Sequence, residues 1–192
     1  MILPGVHDNR DLTLPPVYPI LDITTLSRRD ISPILFAEGI LEAGAAILQL
    51  RHKDLWTRDT LTLATQLAQL CQQANATFIL NDRADYAAIL GVGLHVGQDD
   101  LTPTDARRVI GADAILGYST HNPDQMTAAQ AEPADYVAFG PVFPTASKER
   151  PDPTTGLDGL RAVRALTQRP VVAIGGITRD NARTCWNAGA DS

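Results

Sequence analysis

Short apolar runs alternate with longer segments of helical periodicity along most of this chain. The runs are Tyr18–Ile23, Ala45–Leu50, Thr77–Leu80, Leu94–Val96, Ala114–Gly117, Tyr136–Phe139 and Val171–Ile174. Several are apolar at nearly every position, which predicts strands covered on both faces. Helix starts fall between them. Ser32-Pro33, Thr102-Pro103 and Asn122-Pro123 each place a capping side chain before a proline at the first helical position. Thr57, followed by Thr60 and then Leu61, Leu63, Leu67 and Leu70, opens another helix. Thr178 is expected to cap the last one, which runs through Asn187. Gly44 and Gly189 stand where helices should terminate.

Strands that alternate with helices imply right-handed βαβ units and a parallel sheet. The seven runs exceed the five or six strands usual in a doubly wound sheet and fall one short of a closed barrel. A glycine pair after the seventh run, Gly175-Gly176, decides for the barrel, because barrel phosphate sites recur in the loops after strands seven and eight. The expected fold is therefore a TIM (β/α)8 barrel over residues 18–192. Residues 1–17, with Pro4, Pro15 and Pro16, read as an irregular leader. The sequence ends at Gly189-Ala190-Asp191-Ser192, where an eighth strand should begin, so the barrel is expected to lack its last βα unit.

Composition narrows the functional classes. The 192 residues are 44% hydrophobic and 20% charged, enough for one cored domain. A net charge of −6 argues against a nucleic-acid surface. No run reaches the ~18 apolar residues of a membrane span, and no secretory signal is evident. Cys71 and Cys185 are too few for a disulfide scaffold and point to a reducing, cytoplasmic setting.

In a barrel of this kind the active site forms at the carboxyl ends of the strands. Polar residues do gather there. Alternation sends Gln49, Arg51 and Lys53 to one side, and two cations in an acidic protein suggest an anionic ligand. The alternative is that these are solvated loop charges. Asn81-Asp82-Arg83 and Gln98-Asp99-Asp100 bring carboxylates to neighbouring strand ends, where two of them could hold Mg²⁺ with substrate phosphate oxygens. Otherwise they are a helix cap and a polar turn. Ser119 and Thr120 offer short hydroxyls beside a helix start. His121 reads better as a hydrogen-bonded structural histidine than as an acid/base, and His95 as a packed core residue. The loop Gly140-Pro141-Val142-Phe143-Pro144-Thr145-Ala146-Ser147-Lys148 has the length and rigidity of a closing lid. The two cysteines have no obvious basic partner and read as inert thiols.

These segments, in register from Gln49 to Ile177, resemble the thiamine phosphate synthase family over nearly the whole chain after the leader. The resemblance implies a transferase that joins 4-amino-2-methyl-5-hydroxymethylpyrimidine diphosphate to 4-methyl-5-(2-hydroxyethyl)thiazole phosphate and releases diphosphate. It implies that Gln49, Leu50, Arg51, His52, Lys53, Asn81, Ser119 and Lys148 bind the pyrimidine diphosphate. Asp82 and Asp100 would ligate Mg²⁺. Thr145, Ala146, Ser147 and Gly176 would hold the thiazole phosphate. Arg51, Lys53, Ser119 and Lys148 would be the catalytic set. The family commonly has threonine where this chain has Ser147, which keeps the hydroxyl. A related thiazole tautomerase shares the barrel and is thought to use a histidine near His121. It typically lacks the complete segments that stand here as Gln98-Asp99-Asp100 and Pro144-Thr145-Ala146-Ser147-Lys148. A non-catalytic phosphate-binding barrel is the third reading. The expected partners are small-molecule substrates, neither nucleic acid nor membrane, with homo-oligomerisation left open.

Overall fold

In the computed structural model, which describes residues 12–145 and 153–192, seven parallel strands pair in sequence order. They are β1 (Ile20–Asp22), β2 (Ile47–Arg51), β3 (Thr77–Asn81), β4 (Gly93–Val96), β5 (Leu116–Thr120), β6 (Tyr136–Phe139) and β7 (Val171–Ala173). Each crossover carries a helix: α2 (Pro33–Glu42), α3 (Arg58–Gln73), α4 (Ala84–Leu90), α5 (Pro103–Ile110), α6 (Pro123–Ala129) and α7 (Gly156–Arg164). A short α1 (Ile23–Ser27) precedes α2, and α8 (Ala182–Asn187) follows β7.

Local chemistry explains the starts. The side chains of Ser32, Thr102 and Asn122 each accept from a backbone N–H three residues on, with proline in the first turn. Thr57 and Thr60 form a reciprocal capping box on α3. α3 then buries Ala64, Leu67 and Cys71, one stripe spaced three and four residues apart. Two expectations are corrected. The first run does not stay extended to Ile23, because Asp22 turns to accept from Thr25 N and starts α1 at once. Thr178 does not cap α8; its N–H donates to the Asn181 side chain, and the helix starts only after Asn181.

The sheet has two apolar faces. Leu48, Leu50, Leu80, Leu94 and Val96 pack outward with Ala37, Ala64 and Leu67 of the helices. Ile47, Ile79, Tyr136, Ala138 and Val172 meet inside, although they belong to β2, β3, β6 and β7. Strands that are not neighbours can meet this way only if the sheet curls. Leu14 joins this inner cluster, so the described end of the leader fills the barrel's floor. At the other edge, Ala173 N donates to Ser192 O and Asp191 N to Val171 O, so the last residues run alongside β7 where the eighth strand was expected.

The amino ends of the strands are stapled. Arg107 pairs with Asp135 and donates to the carbonyls of Gly111 and Pro133, and Asp135 in turn accepts from Leu116 N. The carboxyl ends are left for chemistry.

Candidate functional site

Side chains from the strand ends converge at the carboxyl mouth of the barrel. Arg51 ends β2 and pairs with Asp22 at the end of β1. Burial alone would raise the Asp22 carboxyl, but bonds from Thr25 and from Arg51 outweigh it and hold the group below the usual carboxylate range. Lys53, two residues beyond β2, pairs with Asp82 just after β3. Asp82 adopts a left-handed backbone, φ +67°, unusual for a residue with a side chain and a form of strain found at functional sites. Its carboxyl lies against that of Asp100 from the loop after β4. Burial, with the Asp100 carboxyl beside it, pushes Asp82 up to about 6 despite Lys53. Asp100 also accepts from Gly97 N at 2.7 Å, which folds its loop back on the strand end.

Two facing carboxylates beside an ammonium group suit a hard divalent cation, which would relieve their repulsion. Among the described residues no group of three or more His, Cys, Asp or Glu side chains converges. An ion held by Asp82 and Asp100 would therefore complete its shell with water and ligand oxygens, the usual habit of Mg²⁺. Next to this pair opens a cavity of about 420 Å³ between Lys53, Trp56, Asp82 and Arg83. Trp56 stacks on Tyr86 at 4.8 Å, and the Arg83 guanidinium lies 4.1 Å from the Tyr86 ring centre.

Deeper in the barrel the polar groups are connected. Gln49, only 3% exposed, donates to the Tyr18 hydroxyl at 3.1 Å. The Tyr18 and Tyr136 hydroxyls are 2.7 Å apart, Tyr136 Oη is 3.0 Å from His95 Nδ1, and His95 Nε2 is 2.8 Å from Ser119 Oγ. Asn81 is buried on the same inner face, in register with His95. Tyr18, Tyr136 and the partnership of His95 with Ser119 were not foreseen. An aromatic residue in an apolar run reads as core, and these partners lie 24 to 118 residues apart.

The loops after β6 and β7 hold each other. Val142 N donates to Ile174 O and Phe143 N to Gly175 O. A Cβ on Gly176, φ +64°, would fall 2.4 Å from Pro144 O, so the left-handed turn and the close backbone both demand glycine. Thr145 sits at the described edge of this pair of loops. Ala146, Ser147 and Lys148 lie outside the described residues.

Gln49, Arg51, Lys53, Asn81, Asp82, Asp100, Ser119 and Gly176 thus belong to the carboxyl end or the inner face, as their placement in sequence suggested. Others do not project there. Leu50 is fully buried under the helices, because alternation turns it outward, leaving only its backbone toward the mouth. His52 differs from these: it lines the cavity beside Lys53 and Asp82 and packs on Trp56, 5.9 Å between ring centres. Thr120 is buried outward and donates to Ala138 O, so it offers no hydroxyl to a ligand. His121 Nδ1 is 2.6 Å from Gly140 O and ties the ends of β5 and β6 together. Cys71 and Cys185 are buried, and burial raises both thiols, Cys71 to about 11. No helix among the described residues is long and apolar enough to cross a membrane.

Fold and mouth together define an α/β-barrel enzyme with a candidate site at the carboxyl ends of its strands. The chain belongs to the thiamine monophosphate synthase family, whose model matches residues 17–192. It is 47% identical over 184 residues to a thiamine-phosphate synthase of Koribacter versatilis, covering 94% of this chain and 87% of that one. A thiamine-phosphate synthase of Chlorobium phaeovibrioides is 43% identical over 176 residues, covering 91% and 83%. Among solved structures, a thiamine phosphate pyrophosphorylase from Pyrococcus furiosus superposes with a TM-score of 0.80 at 32% identity, covering 95% of this chain and 84% of that one. The activity is accordingly that of a transferase of thiamine biosynthesis.

Proposed function

We propose that the barrel mouth binds the pyrimidine diphosphate and the thiazole phosphate side by side and joins them without an enzymic nucleophile. The observation that carries this reading is the convergence of Asp82 and Asp100 with Lys53 and Arg51 on one rim. Gln49, Asn81 and Ser119 hold the pyrimidine diphosphate from the inner face, with Arg51, Lys53 and Lys148 on its diphosphate. The backbones of Leu50 and His52 help line this subsite. Thr145, Ala146, Ser147 and Gly176 hold the thiazole phosphate. Asp82 and Asp100 would hold Mg²⁺, which when bound neutralises charge on the departing diphosphate.

The chemistry asks little more of the chain. The bond between the pyrimidinylmethyl carbon and the diphosphate oxygen breaks, and its electron pair leaves with diphosphate. The ring amino group stabilises the resulting cation, and the lone pair of the thiazole nitrogen closes the new carbon–nitrogen bond. No proton has to move for this exchange. The residues act by fixed charge and placement, which is where most enzymic stabilisation of a leaving anion comes from. Neither cysteine is an activated nucleophile, since burial raises both thiols, which agrees with this. His121 is engaged with Gly140 O, which supports the synthase over a histidine-based tautomerase.

The test is to incubate the protein with both substrates, with and without Mg²⁺, and measure thiamine phosphate by fluorescence after oxidation. Mg²⁺-dependent product supports the proposal. Binding of both substrates with no product would instead define a ligand-binding barrel.

A further inference from the structure

We propose that Tyr136 and His95 are positioning residues for Ser119, through a one-way hydrogen-bond chain from Gln49 that fixes the Ser119 hydroxyl as a donor toward the barrel mouth. This deepens the reading of Ser119 given above and rests on it.

The direction of the chain follows from counting hydrogens. The Gln49 amide nitrogen can only donate, so the Tyr18 oxygen accepts at 3.1 Å. Partly buried Tyr18 then has one hydrogen to place, and its remaining partner is Tyr136 at 2.7 Å. Leaving that hydrogen unpaired inside the barrel would cost roughly 1–3 kcal/mol. Tyr18 therefore donates to Tyr136. Tyr136, fully buried, passes its own hydrogen to His95 Nδ1 at 3.0 Å. An imidazole that accepts at Nδ1 carries its hydrogen on Nε2, so His95 donates to Ser119 Oγ at 2.8 Å. The Ser119 hydrogen is the only one in the series left without an inward acceptor. It is presented to whatever occupies the mouth.

The packing is built for this chain. A Cβ on Gly117, in β5 between His95 and Tyr136, would fall 2.1 Å from Tyr136 Cζ and 2.4 Å from His95 Nδ1. Only glycine leaves room for the two rings to meet, with centroids 5.6 Å apart and 29° between planes. Burial pushes His95 down to about 4, so the ring is neutral at physiological pH and has one hydrogen to place. Gln98 Nε2 holds the Ser119 carbonyl at 2.6 Å, fixing the backbone from which the hydroxyl projects.

Direction matters because diphosphate gains negative charge as it leaves. A hydroxyl presenting its hydrogen stabilises that charge, and the bond strengthens toward the transition state. With the chain reversed, Ser119 would donate to His95 and turn a lone pair toward the leaving group. Hydrogen-bond chains of this kind also polarise one another, so the effect of Gln49 is transmitted along the series.

The test is side-chain nitrogen NMR of the ¹⁵N-labelled protein, with His95 assigned by its loss in His95→Gln, alongside steady-state kinetics. The expected spectrum shows His95 protonated at Nε2 and bare at Nδ1. Gln49→Glu, which replaces the donor by an acceptor, should reverse the chain and move the proton to Nδ1. Tyr136→Phe should abolish the single tautomer and lower kcat by roughly tenfold, about one hydrogen bond, with KM for the pyrimidine diphosphate changed less than about twofold. Tyr18→Phe should leave the Nε2 tautomer in place, because Tyr136 still donates to Nδ1. A wild-type His95 protonated at Nδ1, or a tautomer indifferent to both Gln49→Glu and Tyr136→Phe, would overturn the chain in an otherwise active enzyme. Full turnover in Ser119→Ala with His95 in the expected tautomer would instead overturn the reading of Ser119, and with it the catalytic purpose of the chain.

Discussion

The carboxyl group of Asp82, at the end of β3, lies against that of Asp100 from the loop after β4, and Lys53 shares the site. Two acids are brought together here at a cost that the fold does not need for its stability. A divalent cation held between them would recover that cost. Asp82→Asn and Asp100→Asn should each lower Mg²⁺-dependent product formation by roughly a hundredfold while leaving thermal melting near wild type. Full activity that resists EDTA in either variant would remove the metal from this pair.

The ion pair between Arg51 and Asp22 gives a second prediction. Asp22 has two duties, capping α1 through Thr25 N at 2.8 Å and holding the guanidinium of Arg51. Asparagine caps a helix as well as aspartate does but carries no charge. Asp22→Asn should therefore change stability by no more than about 1 kcal/mol while raising KM for the pyrimidine diphosphate several-fold. Titration of the substrate alongside a melting curve checks both halves. A stability loss with unchanged KM would place Arg51 outside the substrate site.

A pH effect follows from His95. Its folded-state pKa is depressed, from 6.5 to about 4, by burial. Between these values the unfolded chain takes up a proton that the folded chain refuses. The contribution of His95 is thus fully favourable above pH 6.5 and is lost as pH falls toward 4, by up to about 3 kcal/mol. Asp82, raised to about 6, works in the opposite sense, losing stability as pH rises through that value. The difference in unfolding free energy between wild type and His95→Gln isolates the histidine. That difference should shift against wild type on acidification, and a flat difference from pH 6.5 to 4 would contradict the buried neutral ring.

His121 separates the proposed synthase reading from the tautomerase alternative. With Nδ1 at 2.6 Å from Gly140 O it joins two strand ends, and this is a structural task. His121→Ala should keep synthase turnover within about tenfold of wild type and lower the melting temperature by a few degrees. Complete loss of turnover in a folded variant would restore an acid/base role.

The parts of this architecture legible in sequence were those with a local cause. Strands covered on both faces, such as Tyr136–Phe139, are nearly continuous apolar runs. Capping pairs such as Thr102-Pro103 mark helix starts by side-chain chemistry alone. The rim residues Arg51, Lys53, Asp82 and Asp100 were legible because barrel geometry ties position after a strand to position at the mouth. What local pattern missed had long-range causes. α1 starts inside an apolar run with no break to announce it, so Asp22 passed as strand and its pairing with Arg51 was not seen. Tyr18 and Tyr136 carry their meaning only through each other, 118 residues apart. Thr120 looked like a ligand hydroxyl beside Ser119, but one residue along a strand is the opposite face.

The central claim is that this barrel mouth couples departure of diphosphate to formation of the carbon–nitrogen bond. The most direct measurement is the stoichiometry of diphosphate and thiamine phosphate released from the two substrates across a Mg²⁺ titration. The account predicts one of each per turnover at every Mg²⁺ concentration, with both falling together when the metal is chelated. Diphosphate release without matching thiamine phosphate, or neither product from a protein that binds both substrates, would contradict it.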